Sequence, residues 1–306
     1  MRRYAWITLL FTLGVILWGA YVRATGSGAG CGDHWPLCNG QVVPRDATAA
    51  TFIEFTHRVT SGLSLLAVVG LLVGTFRAFP KKHAARSGAV ASMVFMLLEA
   101  AVGAGLVLLK LVAQDSSALR AVVLGIHLIN TFLLVAAMTY TALAMGKKQV
   151  SQPLRWSMLD LGLLAALMAV GVTGAITALG DTLFPSRTLT EGLAADLDPL
   201  SHFLIRLRIV HPALAMLTTL AAFYRWLRVE KHSARADRWG VIFIAGIGSQ
   251  LALGFLNVAL LAPVWLQLVH LALADVVWLA AIAWMSLRPE VKPLGRRRIG
   301  ARVSTA

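Results

Sequence analysis

Hydrophobic residues fall into eight long runs separated by short polar stretches. The runs cover residues 5–23, 52–76, 89–111, 119–144, 156–179, 204–226, 239–261 and 265–287. An α-helix rises about 1.5 Å per residue, so roughly 20 apolar residues cross the hydrocarbon core of a bilayer. Each run is therefore expected to be a transmembrane helix. The first, Trp6 to Val22, is long enough to span and has no A-x-A site, so it reads as a retained helix instead of a cleaved signal. No Arg/Ser-rich transit peptide precedes it, which points to a bacterial or archaeal plasma membrane. Nine of the ten prolines lie in loops, at span edges or in the tail. Only Pro212 lies within a span, directly after His211, where its missing N–H should kink the helix and free a carbonyl one turn back.

Composition agrees with a membrane protein: 58% of the 306 residues are hydrophobic and 14% charged, against about 25% charged in soluble domains. There are 28 Lys+Arg and 14 Asp+Glu, a net charge of +14. In a soluble chain that excess would suggest nucleic acid. Here 20 of the 28 basic residues lie at the termini and in alternate loops, including the tail 288–306. The opposite loops, 24–51 and 180–203, carry Asp33, Asp46, Asp181, Glu191, Asp196 and Asp198. The positive-inside rule then puts both termini in the cytoplasm and these loops, with Cys31 and Cys38, outside. Nucleic acid is not an expected partner; the lipid bilayer is.

The halves echo each other at an offset near 150 residues. Gly19-Ala20 answers Gly174-Ala175, Glu99…Gly103 answers Gln250…Gly254, His57 answers His211, and His127 answers His270. With four spans per half, this is expected to be a parallel repeat about an axis along the membrane normal. The fold expected is an all-α polytopic membrane protein of eight transmembrane helices, arranged as two pseudo-symmetric four-helix bundles. The bundles would be 1–144 and 156–287, joined by a cytoplasmic linker, 145–155, and followed by the basic tail.

The four histidines carry the chemistry. Ionisable residues inside lipid are costly and usually functional. All four lie roughly 8–12 Å below the outer boundary at about 1.5 Å per residue. Spans 2 and 4 run in one direction, as do 6 and 8, so His57 can face His127 and His211 can face His270. Two neutral imidazoles at one level suit the iron of a porphyrin standing between helices. Zinc does not suit, because each half offers two strong ligands and no intramembrane cysteine. Arg58 adjoins His57, and Arg208 lies one turn outward of His211; arginine meets a haem propionate bidentately. Small residues near the histidines, among them Gly62 and Gly125, would let a flat macrocycle approach the backbone. His34, His83, His202 and His232 read as solvated loop or edge residues.

Glu54 shares a helix face with His57 at i, i+3 spacing. Two readings are open for it: pairing with Arg58 or another cation, and proton transfer at the ring periphery. Glu99 lies mid-membrane as a protonated, hydrogen-bonded group or a proton-path member, and Asp275 reads as structural. In an oxidising compartment, Cys31 and Cys38, with Gly32 and Pro36 between them, suggest a disulfide that is either structural or redox-active.

At these residues the chain resembles the haem A synthase family. The matching segments are Gly26-Ser27-Gly28-Ala29-Gly30-Cys31 through Trp35-Pro36-Leu37-Cys38, Glu54-x-x-His57-Arg58, Gly125-Ile126-His127, and the later pair His211 and His270. The resemblance implies oxidation of the C8 methyl of haem O to the formyl of haem A, for terminal oxidases. It implies His57 and His127 at the substrate haem, His211 and His270 at a resident haem b, Glu54 as the acid essential to chemistry, and a Cys31–Cys38 disulfide. It also implies a haem O-supplying synthase, an electron donor and terminal oxidase assembly as partners; a homo-oligomer stays open. The chain departs from the family in three places. Loop 180–203 has no second cysteine pair. Pro212 stands where relatives often have Arg, which moves the propionate assignment to Arg208 or Arg206. Glu99 stands where Gln is common. Two other functions are compatible with the sequence: a non-catalytic dihaem b cytochrome taking electrons from quinol, which explains the same histidines, and a small-solute transporter, which explains the repeat alone.

Overall fold

A computed structural model describes residues 1–146, 156–228 and 234–287. Most of the linker, residues 147–155, together with His232 and the basic tail 288–306, lies outside the described residues. The described chain is built of α-helices, with two short 3-10 turns, Ser27–Ala29 and Leu207–Ile209, and connecting loops. In order, the helices are α1 (Arg2–Ala24), α2 (Ala49–Ala78), α3 (Ala84–Leu108), α4 (Ala118–Ala144), α5 (Met158–Leu183), α6 (Leu189–Leu197), α7 (Phe203–Arg206), α8 (Val210–Arg228), α9 (Ala234–Ala259) and α10 (Val264–Leu287). Eight stretches are long and apolar enough to cross a membrane, α7 and α8 counting as one. The protein is a multi-spanning all-α membrane protein.

Local sequence sets where these helices begin. The hydroxyls of Thr48, Ser117 and Ser157 accept the backbone N–H of Thr51, Arg120 and Asp160, covering donors that the first turn leaves bare. Asp160 answers Ser157 in a full capping box. The His83 ring nitrogen caps α3 by accepting Ala85 N–H. This start explains why α3 opens five residues before the apolar run suggests. At its other end α3 closes at Leu108, three residues early, and Lys110 turns the chain in the left-handed region (φ 57°).

The break expected at Pro212 appears as a 3-10 turn, Leu207–Ile209, between α7 and α8. Pro212 then sits in the first turn of α8, where a missing N–H costs least. Helix α6 was not expected. Thr188 caps it by accepting Glu191 N–H, a Thr-x-x-Glu start signal that the sequence does carry.

Helices α1 to α4 pack in a closed ring, each against the next and α4 against α1. Helices α5, α8, α9 and α10 form a second ring in the same way. The rings meet through α1, α4, α5 and α10. Helix α10 is the most enclosed: Val277 through Ser286 are all buried. Its Trp278 donates to Phe132 O of α4 at 2.8 Å, and the two aromatic rings lie 4.8 Å apart between centroids. Arg23, at the end of α1, donates to Ala178 O (2.7 Å) and Thr182 Oγ1 (3.0 Å) near the end of α5, and to Gln267 Oε1 (3.1 Å) at the start of α10. The loops after α1 and α5 therefore emerge at one end, called here the disulfide end.

Candidate functional site

His57, His127, His211 and His270 sit on α2, α4, α8 and α10, the even-numbered member of each long helix pair. Each ring rests against a glycine of the helix before it in its bundle. A Cβ on Gly19 of α1 would stand 2.9 Å from His57 Cε1, and one on Gly174 of α5 would stand 2.9 Å from His211 Cε1. The matching distances are 3.8 Å from Gly103 of α3 to His127 and 3.4 Å from Gly254 of α9 to His270. The small residues that admit these rings thus lie across the helix interface. Of the small residues expected beside the histidines, Gly125 lies against α5, where an added Cβ would stand 3.2 Å from Val172 Cγ1, and a Cβ added at Gly62 would meet no described atom within 4 Å.

The His211 and His270 rings are 6.3 Å apart between centroids and nearly perpendicular, at 83°. Two imidazoles bonded to one metal from opposite sides, each at about 2 Å, place their ring centres roughly 6 Å apart. The pair fits a bis-imidazole iron site. His211 Nδ1 lies 3.0 Å from Val170 O and so is tied to α5. Among the described residues, Nδ1 of His57, His127 and His270 is buried without a hydrogen-bond partner. Among the described residues, no three of His, Cys, Asp and Glu converge to hold a metal ion.

Glu54 is buried at 3% exposure, one turn before His57. Its Oε2 accepts Cys31 N–H at 2.8 Å, and its Oε1 accepts Arg58 Nε–H at 3.1 Å with a second, closer contact from Arg58 Nη2. Arg58 also donates through Nη1 to His34 O and Leu37 O, both at 2.6 Å. Glu54 and Arg58 therefore clasp the Cys31–Cys38 loop onto α2. The disulfide is formed and both cysteines are buried, at 0% and 1%. Gly30 packs so closely on the Ala50 backbone that no side chain fits there, and its carbonyl accepts Thr51 Oγ1–H at 2.8 Å. Outside the span, Asp33 is hydrogen-bonded by Lys110, which holds its carboxyl below the ordinary carboxylate range.

Arg208 is buried beneath the disulfide end. It donates to Gly180 O and Phe184 O, lies 3.0 Å from Asp181 and 3.7 Å from Asp196. Burial raises the Asp196 carboxyl above its ordinary value, against the pull of Arg208. Arg206 is exposed and reaches Pro199 O at 3.4 Å. His202 is a cap, accepting Leu204 N–H at 3.3 Å between the rings of Phe184 and Phe203.

Sequence reasoning passed over three features. Arg23 ties α1 to both α5 and α10, and its place at the tip of an apolar run disguised it as an interface residue. Asn130 and Thr131, polar residues one turn past His127 in a mid-membrane run, meet Glu99: Asn130 Nδ2 donates to Oε2 and Thr131 Oγ1 to Oε1, each at 2.5 Å. The glycine seats were visible only as repeat markers. Asp275 is buried at 6% exposure, and its Oδ2 has no hydrogen-bond partner among the described residues.

The sequence pattern of the COX15-CtaA family, described as cytochrome oxidase assembly protein, matches residues 2–282. A Thermus thermophilus chain named protoheme IX farnesyltransferase is 48% identical over 288 residues, covering 90% of this chain and 46% of its own length. The protein thus spans a little under half the length of that relative. The heme A synthase of Exiguobacterium sibiricum is 32% identical over 234 residues, 75% of each chain. That of Geobacillus kaustophilus is 40% identical over 130 residues, 42% of this chain and 40% of its own.

Proposed function

Because the chain belongs to the COX15-CtaA family of cytochrome oxidase assembly proteins, we propose that it is a haem A synthase, oxidising the C8 methyl of haem O to a formyl group. The observation that carries this reading is the set of four membrane histidines, each on a glycine seat, with His211 and His270 spaced to share one iron. In this reading the second ring of helices holds a resident haem b, ligated by His211 and His270. The first ring receives haem O as substrate, between His57 and His127. The matched glycine–histidine contacts in both rings support an internal two-fold repeat with domains at 1–144 and 156–287. The basic loops support cytoplasmic termini and an external disulfide end.

Turning a methyl into a formyl balances as R–CH₃ + H₂O → R–CHO + 4 e⁻ + 4 H⁺. A haem b held by His211 and His270 would supply one-electron transfer. The protein's residues must do the rest: hold the macrocycle, orient its edge and take protons. His57 and His127 hold the substrate, and their glycine seats bring each ring against the neighbouring backbone. Glu54 lies one helical turn from His57. Its carboxylate is kept in place by Arg58 and Cys31 N–H, so it is oriented before substrate arrives and can steady positive charge at the reacting edge or accept a proton. The clasp supports a structural role for the cysteine pair.

The clasp also uses most of the Arg58 donors, and Arg208 is similarly engaged. Exposed Arg206 is then the freest of the three propionate candidates, Arg58, Arg208 and Arg206. As partners we propose an electron acceptor that takes the four electrons one at a time from the resident haem, an oxidase assembly route for the product and a prenylating enzyme that supplies the substrate. The Thermus relative, named for farnesyl transfer to protohaem, supports the last, since over half of its length lies outside the match.

The test is co-expression with a source of haem O, followed by pigment extraction. A formyl-bearing haem in the purified protein supports the synthase. Unmodified haem b alone supports the electron-transferring dihaem cytochrome. Glu54→Gln should bind haem at wild-type levels and make no formyl product; undiminished conversion would remove Glu54 from the chemistry.

A further inference from the structure

Of the four membrane histidines, only His127 faces a carboxylate among the described residues. Glu99 of α3 places Oε1 3.6 Å from His127 Nδ1. That nitrogen is buried and has no hydrogen-bond partner. Glu99 is itself fixed: Asn130 Nδ2 donates to Oε2 at 2.5 Å and also to Phe95 O at 2.9 Å. The Thr131 hydroxyl lies 2.5 Å from Oε1 and 3.0 Å from the His127 carbonyl. The carboxylate is thus tethered by two residues on the same helix as the histidine it faces. The second ring of helices lacks this arrangement. Gln250, at the corresponding place, donates to the His270 carbonyl at 3.0 Å, and His270 Nδ1 is left without a partner.

We propose that Glu99 is a positioning residue for His127, acting as the acceptor for its Nδ1–H when Nε2 is presented to iron. The gap of 3.6 Å exceeds a hydrogen bond, and a small rotation of the imidazole closes it without disturbing the tethered carboxylate. A carboxylate on the far nitrogen of a metal-bound histidine fixes the tautomer, orients the ring and makes the ligating nitrogen more basic. A more basic ligand favours ferric over ferrous iron. The two haem sites are thereby made unequal: the substrate site carries a carboxylate-backed ligand, and in the resident site the backing of His211 is a backbone carbonyl, Val170 O. This rests on the reading of His57 and His127 as ligands of the substrate haem.

The experiment is a redox titration of the purified, haem-loaded full-length protein, with His127→Ala used to identify the component that belongs to the first ring. Glu99→Gln keeps the shape and removes the charge. It should raise the potential of that component by about 59 mV, which is about a tenfold loss of ferric preference for a one-electron couple, and leave the other component in place. Should Glu99→Gln fail to accumulate, Asn130→Ala loosens the same carboxylate and should shift the same component in the same direction by less. Two wild-type components with neither moved, or with only the His127-independent one moved, would overturn the inference alone. A wild-type protein that holds no haem, or a His127→Ala variant that loses none, would overturn the site reading on which it stands.

Discussion

Replacing Gly19 or Gly174 with alanine tests the seating of the histidines directly. The added methyl would lie 2.9 Å from His57 Cε1 in one case and from His211 Cε1 in the other. Ordinary carbon contacts sit at about 3.5–4.0 Å, so each ring must retreat by roughly 0.6 Å or more. Both are partly enclosed, and His211 is further tied to Val170 O. Metal–ligand distances tolerate only about 0.2 Å. Overpacking of this kind costs about 1–3 kcal/mol, and when the strain falls on a ligand it appears as about 5- to 140-fold weaker haem binding. Gly103→Ala and Gly254→Ala, whose new methyls would stand 3.8 Å and 3.4 Å from their rings, should bind haem nearly as the wild type does. The assay is the haem-to-protein ratio by pyridine haemochrome, after dilution across a range of protein concentrations. The reasoning is refuted if Gly19→Ala and Gly174→Ala retain haem like the wild type, or if Gly103→Ala loses as much as they do.

Further outcomes follow from the same contacts. Cys31→Ser with Cys38→Ser opens a short loop and should destabilise the fold by about 2–3 kcal/mol, read as a lowered melting temperature in detergent, while haem stays bound by His211 and His270. Trp278→Phe removes the buried hydrogen bond to Phe132 O and should cost about 0.5–1.5 kcal/mol; an unchanged melting temperature would show that this contact does not help to hold the two helix rings together. The Asp33 carboxyl is held below its ordinary value by Lys110, so its contribution to stability is present above the unfolded carboxylate range and lost as pH falls through the depressed folded value. A melting-temperature difference between wild type and Asp33→Asn should therefore be present at neutral pH and vanish in acid; a difference that grows on acidification contradicts this.

The helical plan was legible because every element long enough to cross a bilayer must be apolar along nearly its whole length, and the loops carry opposite charge at the two ends. Element boundaries were less legible, because caps such as His83 and Thr48 recruit polar residues into the helix. Helix α6 was obscured because it lies outside the apolar runs, although Thr188 and Glu191 form its start signal. The histidines stood out as costly residues in lipid. Their seats did not, because Gly19, Gly103, Gly174 and Gly254 touch them across helix interfaces that no sequence spacing reveals. The commitment of Arg58 and Arg208 was hidden for the same reason: their acceptors are loop and helix-end carbonyls distant in the chain. Glu99 could be placed mid-membrane, but its link to His127 depends on how α3 packs on α4.

The measurement closest to the central claim is the haem content and low-spin electron paramagnetic resonance spectrum of the purified protein and its four histidine-to-alanine variants. The account predicts two bis-imidazole components in the wild type. His211→Ala and His270→Ala should each remove the same one, and His57→Ala and His127→Ala should each remove the other. Variants that keep both components, or a loss that pairs His57 with His211 instead of His127, would contradict it.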